Sequence, residues 1–173
     1  MHQNQPLISF SNFIKPISIG TILVSFISPI CSVYAQSIIS CREAVSQANE
    51  ELIKGGNKSL KDEKALVSLL QTLNRDDALP NTYVTSAKAK QAGWSGADTD
   101  SLWEASWTLN KKSIGGDPIQ NAALPKSVRW YSADIESVRG LRSSKRLIYS
   151  TDDPYRYLTN NTYRSFVKIQ ECQ

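Results

Sequence analysis

Residues 128–169 read VRWYSADIESVRGLRSSKRLIYSTDDPYRYLTNNTYRSFVKI, and this stretch decides the fold of the chain. Apolar and polar residues alternate in four short runs, at 128–135, 146–150, 156–158 and 163–169. A glycine, an Asp-Asp-Pro and an Asn-Asn turn signal separate successive runs. Alternation with a period of two is typical of strands that bury one face, and turns between consecutive strands favour antiparallel pairing. The stretch therefore predicts an antiparallel sheet.

Helical periodicity precedes these strands. Ser40 and Glu43 form a capping-box pattern, and apolar residues then recur at helical spacing as far as Gly55. A second helix is predicted from about Ser59 to Asp76. Its apolar stripe consists of Ala65, Leu66, Leu69, Leu70 and Leu73.

A third, short helix is predicted between Thr85, as its N-cap, and Gly93. Residues 95–127 show little periodicity and are predicted to be loops with at most one short element, near 102–109. Helices followed by strands predict an α+β fold in which N-terminal helices pack on one face of a C-terminal antiparallel sheet. The opposite face of the sheet is then expected to be open for a site.

The first 35 residues are predicted to be an export signal. They contain no acidic residue, and their apolar run at 17–30 is shorter than the roughly 20 residues that span a bilayer. Because the small-residue site Val33-Tyr34-Ala35 follows, we expect a secreted or periplasmic, monomeric chain that begins at Gln36. An uncleaved membrane anchor and a lipoprotein cysteine at Cys31 are the alternatives. The rest divides into an added helix with its linker, 36–60, and a main domain, 61–173.

Removal of this signal leaves two cysteines, Cys41 and Cys172, and removes His2, which is the single histidine of the chain. In an exported chain two such cysteines favour one disulfide over two free thiols. No spacing of cysteine and histidine suits a zinc ion, so we expect neither a metal nor a cofactor.

The composition, with 40% hydrophobic and 21% charged residues, is that of an ordinary globular domain and excludes long disorder, collagen and a disulfide-dense miniprotein. Charge is uneven along the chain. Residues 36–124 hold 10 Lys/Arg against 11 Asp/Glu, whereas residues 125–173 hold 9 against 5. A basic last third suggests a polyanionic partner, although a solvated basic face explains the charge equally well.

Six strings of residues, in this order along the chain, resemble those of barnase-like extracellular bacterial ribonucleases. They are LPNTYVT at 79–85, AGW at 92–94, KSIGGD at 112–117, ADI at 133–135, RLIYS at 146–150 and YRSFVKI at 163–169. The resemblance extends from about residue 67 to residue 169. It implies a small α+β fold whose open sheet face binds single-stranded RNA. It also implies cleavage after guanine, by attack of the ribose 2′-hydroxyl on its own phosphate to give a 2′,3′-cyclic phosphate.

This reaction needs a base, an acid and fixed cations, which the family supplies as Glu, His, Arg and Lys. By position, Arg146 and Arg142 match two family arginines that bind phosphate, and Asp134 matches the buried carboxylate that holds them. A structural network of ion pairs is the alternative interpretation of these three residues.

The residues that transfer protons are not retained. Ser132 stands at the base position, Thr162 at the acid position and Ser86 at the position of the family's lysine. A hydroxyl does not titrate near neutrality, so it replaces neither a carboxylate nor an imidazole. Glu136 shares the strand parity of Ser132 but lies roughly 13 Å further along an extended strand.

The loop that reads guanine also differs from the family pattern. Residues 118–123 are about two residues fewer than that pattern has, and they lack its base-binding carboxylate. Asn121 is the nearest match to the remaining base contacts, and Tyr163 is a candidate for stacking on a base. Selectivity for guanine is therefore not expected.

Three functions fit these residues. The first is a working secreted ribonuclease with an altered catalytic set. The second is a scaffold that binds single-stranded RNA or another polyanion and has weak or no cleavage. The third is a protein-recognition module whose basic face docks a barstar-like inhibitor or another acidic protein.

Overall fold

The strands predicted at 128–169 form the last four strands of the sheet. The computed structural model describes residues 38–173, and in it each strand pairs with the next along the chain. The strands are β1 (Tyr83–Val84), β2 (Ser113–Ile119), β3 (Trp130–Asp134), β4 (Arg146–Tyr149), β5 (Arg156–Thr159) and β6 (Val167–Ile169). The β1–β2 pair is parallel and the other four pairs are antiparallel. The predicted α+β fold is confirmed.

The predicted helices are present. They are α1 (Cys41–Lys54), α2 (Glu63–Asp76), α3 (Ser86–Gln91) and α4 (Leu102–Ala105), and a 3-10 turn, Trp107–Leu109, follows α4. Ser40 caps α1, with its hydroxyl accepting a hydrogen bond from the Glu43 amide at 3.2 Å. The start of α2 is four residues later than predicted because the segment before it is tied to other elements. The Leu60 amide donates to the Asn49 side chain at 2.7 Å, and Asp62 is the N-cap.

Helices α1 and α2 cover one face of the sheet. Their buried leucines, among them Leu52 and Leu70, share one core with Ala133, Leu147 and Leu158 of the sheet. Ala65, predicted to lie in the stripe of α2, is exposed. Residues of α1 belong to the same hydrophobic core as those of α2 and the sheet. The boundary predicted at residue 60, between an added helix and a main domain, stays a prediction.

The prediction of a loop at 95–127 is wrong for β2. This strand contains two glycines and a proline, and its register shifts between Gly115 and Asp117. A Cβ on Gly115 would lie 2.5 Å from the Tyr83 ring, so close packing explains a glycine at this strand position. The predicted strand at 163–169 is also shortened, because Thr162 and Tyr163 have φ values of 56° and 67° and pairing starts only at Val167.

The predicted disulfide is confirmed. Cys41 at the start of α1 is bonded to Cys172 after β6, across 131 residues of sequence, with a Cα–Cα distance of 4.8 Å. Ile39 and Cys172 form a parallel bridge beside it. Asn74 of α2 donates to the Cys172 carbonyl at 2.8 Å. The disulfide and this hydrogen bond together connect both ends of the described chain to α2.

Removal of this disulfide is expected to lower the free energy of unfolding by about 2–4 kcal/mol, because the bond closes a long loop in the unfolded chain. Urea unfolding of the Cys41→Ser/Cys172→Ser variant checks this. The control is dithiothreitol, which should shift the unfolding midpoint of the unchanged protein and leave that of the variant where it is. Equal midpoints for the variant and the oxidised protein would contradict the expectation.

The predicted export signal at 1–35 and the predicted start at Gln36 lie outside the described residues. Over 38–173 there is no helix whose length and apolar character suffice to cross a membrane.

Candidate functional site

Three predicted site residues lie on the face of the sheet that the helices leave uncovered. Ser132 and Asp134 alternate along β3 with Ala133, and Asp134 pairs with Arg146 of β4. Paired residues of antiparallel strands point to the same side, as do residues two apart along a strand. Ala133 and Leu147 belong to the helix-covered core. Ser132, Asp134 and Arg146 therefore lie on the opposite face.

This face is covered at the site, contrary to the expectation of an open surface. Ser132 is 4% exposed, and Asp134 and Arg146 are each 2% exposed. The connection from β3 to β4 folds back so that Arg142 contacts Asp134. The guanidinium carbon of Arg142 lies 5.9 Å from the centre of the Trp94 ring. The site is therefore a covered polar centre rather than an exposed groove.

Asp134 is the centre of this arrangement. Arg142 donates two hydrogen bonds to this carboxylate, from Nε to Oδ2 at 2.7 Å and from Nη2 to Oδ1 at 3.0 Å. Arg146 contacts the oxygen that Nη2 of Arg142 also bonds, with its Nε 2.7 Å from Oδ1. Asp98 adds a second carboxylate, 2.8 Å from Nη1 of Arg142. The structure thus brings together the three residues that the sequence groups.

Arg146 is held away from solvent. Its Nη1 donates to the carbonyl oxygens of Ser143 and Lys145, the latter at 2.8 Å. The contact of its Nε with Asp134 is an ion pair without hydrogen-bond geometry. Contact between Arg146 and a phosphate would require a rearrangement of the connection at 142–146.

Arg142 is more accessible to solvent than Arg146, since 17% of its side chain is exposed against 2% for Arg146. Burial alone would lower the pKa of this guanidinium, but the hydrogen bonds and charge of Asp134 and the charge of Asp98 raise the pKa above its ordinary value. Arg142 is therefore a permanent cation at the edge of the site.

Sequence reasoning did not single out Asp117, which is the strand partner of the missing base position and the hydrogen-bond partner of the missing lysine position. Asp117 of β2 pairs with Ser132, and its side chain accepts hydrogen bonds from Ser86. The Ser86 amide lies 2.9 and 3.1 Å from the two carboxylate oxygens, and the Ser86 hydroxyl lies 2.5 Å from one of them. The KSIGGD string contained Asp117, but its place opposite Ser132 depends on the register shift in β2.

Thr162 and Tyr163 form a turn beside the site. Both have left-handed backbones, and the Thr162 amide donates to the Ser144 carbonyl at 3.2 Å. Asn121 donates from Nδ2 to the Tyr163 carbonyl at 3.2 Å and accepts from the Ala123 amide at 2.9 Å. The predicted base-contacting residues Asn121 and Tyr163 are thus in contact, with both ends of the Asn121 amide engaged within the protein.

Glu136 is not a substitute base. Its carboxylate accepts hydrogen bonds from the amides of Lys61 and Asp62 before α2, and it forms an ion pair with the ammonium of Lys145. Burial alone would raise the pKa of Glu136, but Lys145 and the two amides lower it below its ordinary value. Glu136 fastens the start of α2 to the β3–β4 connection.

This arrangement gives a pH dependence of stability. Because folding lowers the pKa of Glu136, the carboxylate stabilises the fold above its unfolded value of 4.5, and this stabilisation is lost as the pH falls through the folded pKa. Glu136→Gln is therefore expected to destabilise the protein near neutral pH and to flatten the loss of stability below pH 4.5. Urea unfolding at several pH values checks this, with Glu51→Gln on exposed α1 surface as the control. If Glu136→Gln lost stability below pH 4.5 as steeply as the unchanged protein does, the expectation would be contradicted.

Within 38–173 there is no cluster of three or more His, Cys, Asp or Glu side chains able to hold a metal ion.

Comparison with known proteins finds similar chains among bacterial ribonucleases. The chain is 37% identical over 102 residues to a ribonuclease of Heyndrickxia coagulans, a match that covers 57% of this chain and 89% of that protein. It is also 37% identical over 102 residues to ribonucleases of Bacillus intermedius and Bacillus pumilus, and these matches cover 60% of each relative. No family model matches the chain.

Proposed function

This chain belongs to a family of bacterial ribonucleases, and on that premise we propose that it is a secreted protein that binds single-stranded RNA and cleaves it weakly or not at all. Cleavage in which the ribose 2′-hydroxyl attacks its own phosphate needs a group to accept that proton and another to protonate the leaving oxygen. In this chain the corresponding positions are Ser132 and Thr162.

One observation carries the proposal: each carboxylate near the site is already engaged. Asp117 accepts hydrogen bonds from Ser86, and Asp134 is paired with two guanidiniums. Asp98 is paired with Arg142, and Glu136 with Lys145. The chain has no histidine beyond His2. Since general acid and base catalysis commonly contributes about 10²–10⁴-fold per group, loss of both groups removes most of the expected rate.

A surface suited to RNA remains at the β5–β6 edge of the sheet. This aromatic strip consists of Tyr155, Tyr157, Phe166 and Lys168. The ring centres of Tyr157 and Phe166 are 6.5 Å apart, and the Lys168 ammonium lies 3.3 Å from the centre of the Tyr155 ring. Tyr155 is 41% exposed. Bases of any identity stack on aromatic rings, so the strip supports RNA binding without base selectivity.

The strip lies on the same face as Ser132. Tyr157 and Ser132 both pair with Ile148 of β4, which places Tyr157 two strands from the site. Two strand spacings are about 10 Å, a distance that a bound strand covers within two nucleotides. An RNA strand bound on the strip therefore lies within about 10 Å of the covered site.

Binding of a fluorescein-labelled single-stranded RNA, followed by anisotropy over a salt series, tests this interface. We expect affinity to fall steeply with salt, because cations replace counterions on the phosphates. Lys168→Ala is expected to weaken binding and to reduce the slope of log K against log salt by about 1. The matched control is Lys54→Ala, at the exposed end of α1, which should bind like the unchanged protein. Equal effects of the two substitutions would contradict the placement of RNA on the strip.

The protein-recognition function is favoured by one observation. Arg142 and Arg146 are already paired with Asp134, so the remaining positive charge of the last third is carried largely by exposed side chains such as Lys126, Arg164 and Lys168. An acidic protein surface suits such charges as well as RNA does. Specific capture of an acidic protein together with salt-independent, weak RNA binding would favour this function.

A further inference from the structure

A cavity lies on the helix-covered side of the sheet, away from the site described above. It measures 470 Å³ and is bounded by the end of α2, the turn after β4 and the residues around the disulfide. Arg156 lines it and shares the strand parity of Leu158, whose side chain lies in the helix-covered core. Ile38 and Glu171 also line it, and both fall outside the stretch of family resemblance at 67–169. Most of the lining, Arg156 included, lies within that stretch.

Arg156 is buried without a carboxylate partner. The residue is 7% exposed, and its only hydrogen bonds to residues 38–173 run from Nη1 to the carbonyls of Asp153, at 2.7 Å, and Tyr155, at 3.0 Å. Nε is buried with no partner among those residues. Burial lowers the pKa of this guanidinium from its ordinary value. A buried cation that lacks a paired anion is costly, so Nη2, which has no partner among those residues and is not fully buried, is a place where a carboxylate would be stabilised.

Four carboxylates line the same cavity as this guanidinium. Asp77, at the end of α2, lines the cavity with Asp152, Asp153 and Glu171. None of them forms an ion pair with Arg156 within residues 38–173, and Asp152 is paired instead with Arg129. The cavity as a whole is negative, so it disfavours RNA and other polyanions. A ligand that fits must present one carboxylate to Arg156 and positive charge to the surrounding acids.

We propose that this cavity binds a free amino acid with a cationic side chain, such as arginine or lysine. Its carboxylate accepts a charge-assisted hydrogen bond from Nη2 of Arg156. Its ammonium and side-chain cation face Asp77, Asp153 and Glu171. The volume of 470 Å³ is within the range of small-molecule sites. This site is independent of RNA binding and does not rest on the proposed function.

Calorimetric titration of the oxidised protein with L-arginine and with agmatine tests the proposal without any substitution. Agmatine keeps the guanidinium and the amine of arginine but lacks the carboxylate. We expect L-arginine to bind and agmatine to bind roughly 10-fold or more weakly, the loss typical of a charge-assisted hydrogen bond. Equal affinities would show an acidic surface that attracts any cation, and absence of binding by L-arginine up to roughly 10 mM would show no site. Either result overturns the proposal.

The variant Arg156→Gln locates the effect. We expect its affinity for L-arginine to fall to the level of agmatine, while its affinity for agmatine stays the same or rises and its salt-dependent RNA binding is unchanged. Arg42→Gln, on the exposed surface of α1, is the matched control and should bind L-arginine normally. Full discrimination between arginine and agmatine in a folded Arg156→Gln protein would overturn the assignment.

Discussion

Introduction of Ser132→Glu together with Thr162→His is expected to raise RNA cleavage at least about 10²-fold above that of the unchanged protein. The pair restores a group that accepts the 2′-hydroxyl proton and one that protonates the leaving oxygen. A carboxylate at position 132 would lie on the same face as Arg146 and two residues from Asp134, in a centre that already holds two guanidiniums. Positive charge beside it compensates the burial of the new carboxylate.

The backbone at position 162 favours this substitution. Thr162 has a left-handed φ of 56°, which is unusual for a residue branched at Cβ and several-fold more common for His, Asn and Asp. Thr162→His is therefore expected to leave stability unchanged or to raise it. Release of cyclic-phosphate ends from labelled RNA measures the gain in rate.

Single substitutions and Thr162→Asn are the matched controls. Thr162→Asn has the same backbone benefit without a titrating group, so it should match Thr162→His in stability and give no gain in cleavage. A folded double variant that binds RNA and releases no cyclic phosphate would contradict the assignment of positions 132 and 162.

Loss of the Asp134 charge is expected to lower the free energy of unfolding by about 3–5 kcal/mol, because Asp134→Asn leaves two guanidiniums in the covered centre with no anion between them. Arg146 is 2% exposed and has no route to solvent in this conformation. Urea unfolding measures the change.

Asp152→Asn provides the comparison at the surface. Asp152 pairs with Arg129 at 3.1 Å, but both side chains are exposed, and such a pair is worth about 1 kcal/mol or less. If the two variants lost similar stability, the centre around Asp134 would not be the buried ion-pair network described here.

Local signals in the sequence predicted most of the fold. The capping box at Ser40, the apolar stripe of α2 and the alternation at 128–135 act over a few residues, and each is found in the structure. The disulfide between Cys41 and Cys172 followed from the number of cysteines and the expected compartment, whereas its contact with Asn74 of α2 is seen only in the structure.

Features that depend on tertiary packing were not predicted. Strand β2 carries Gly115, Gly116 and Pro118, which disfavour a strand locally, and it forms because β1 and β3 flank it. Arg146 is buried because the connection between β3 and β4 folds back over Asp134. No residue spacing in the sequence predicts that this connection folds back. The same holds for Asp117 opposite Ser132 and for the cavity at Arg156, which join residues far apart in the chain.

The most direct measurement is incubation of the purified protein with end-labelled single-stranded RNA, followed by separation of the products by length and by end chemistry. It shows whether the protein binds RNA without cleaving it. We expect RNA that is bound at low salt and recovered intact, with cyclic-phosphate ends at or near the level of a protein-free control. Multiple turnovers of cleavage, abolished by Arg142→Ala and unaffected by Lys54→Ala, would contradict this expectation.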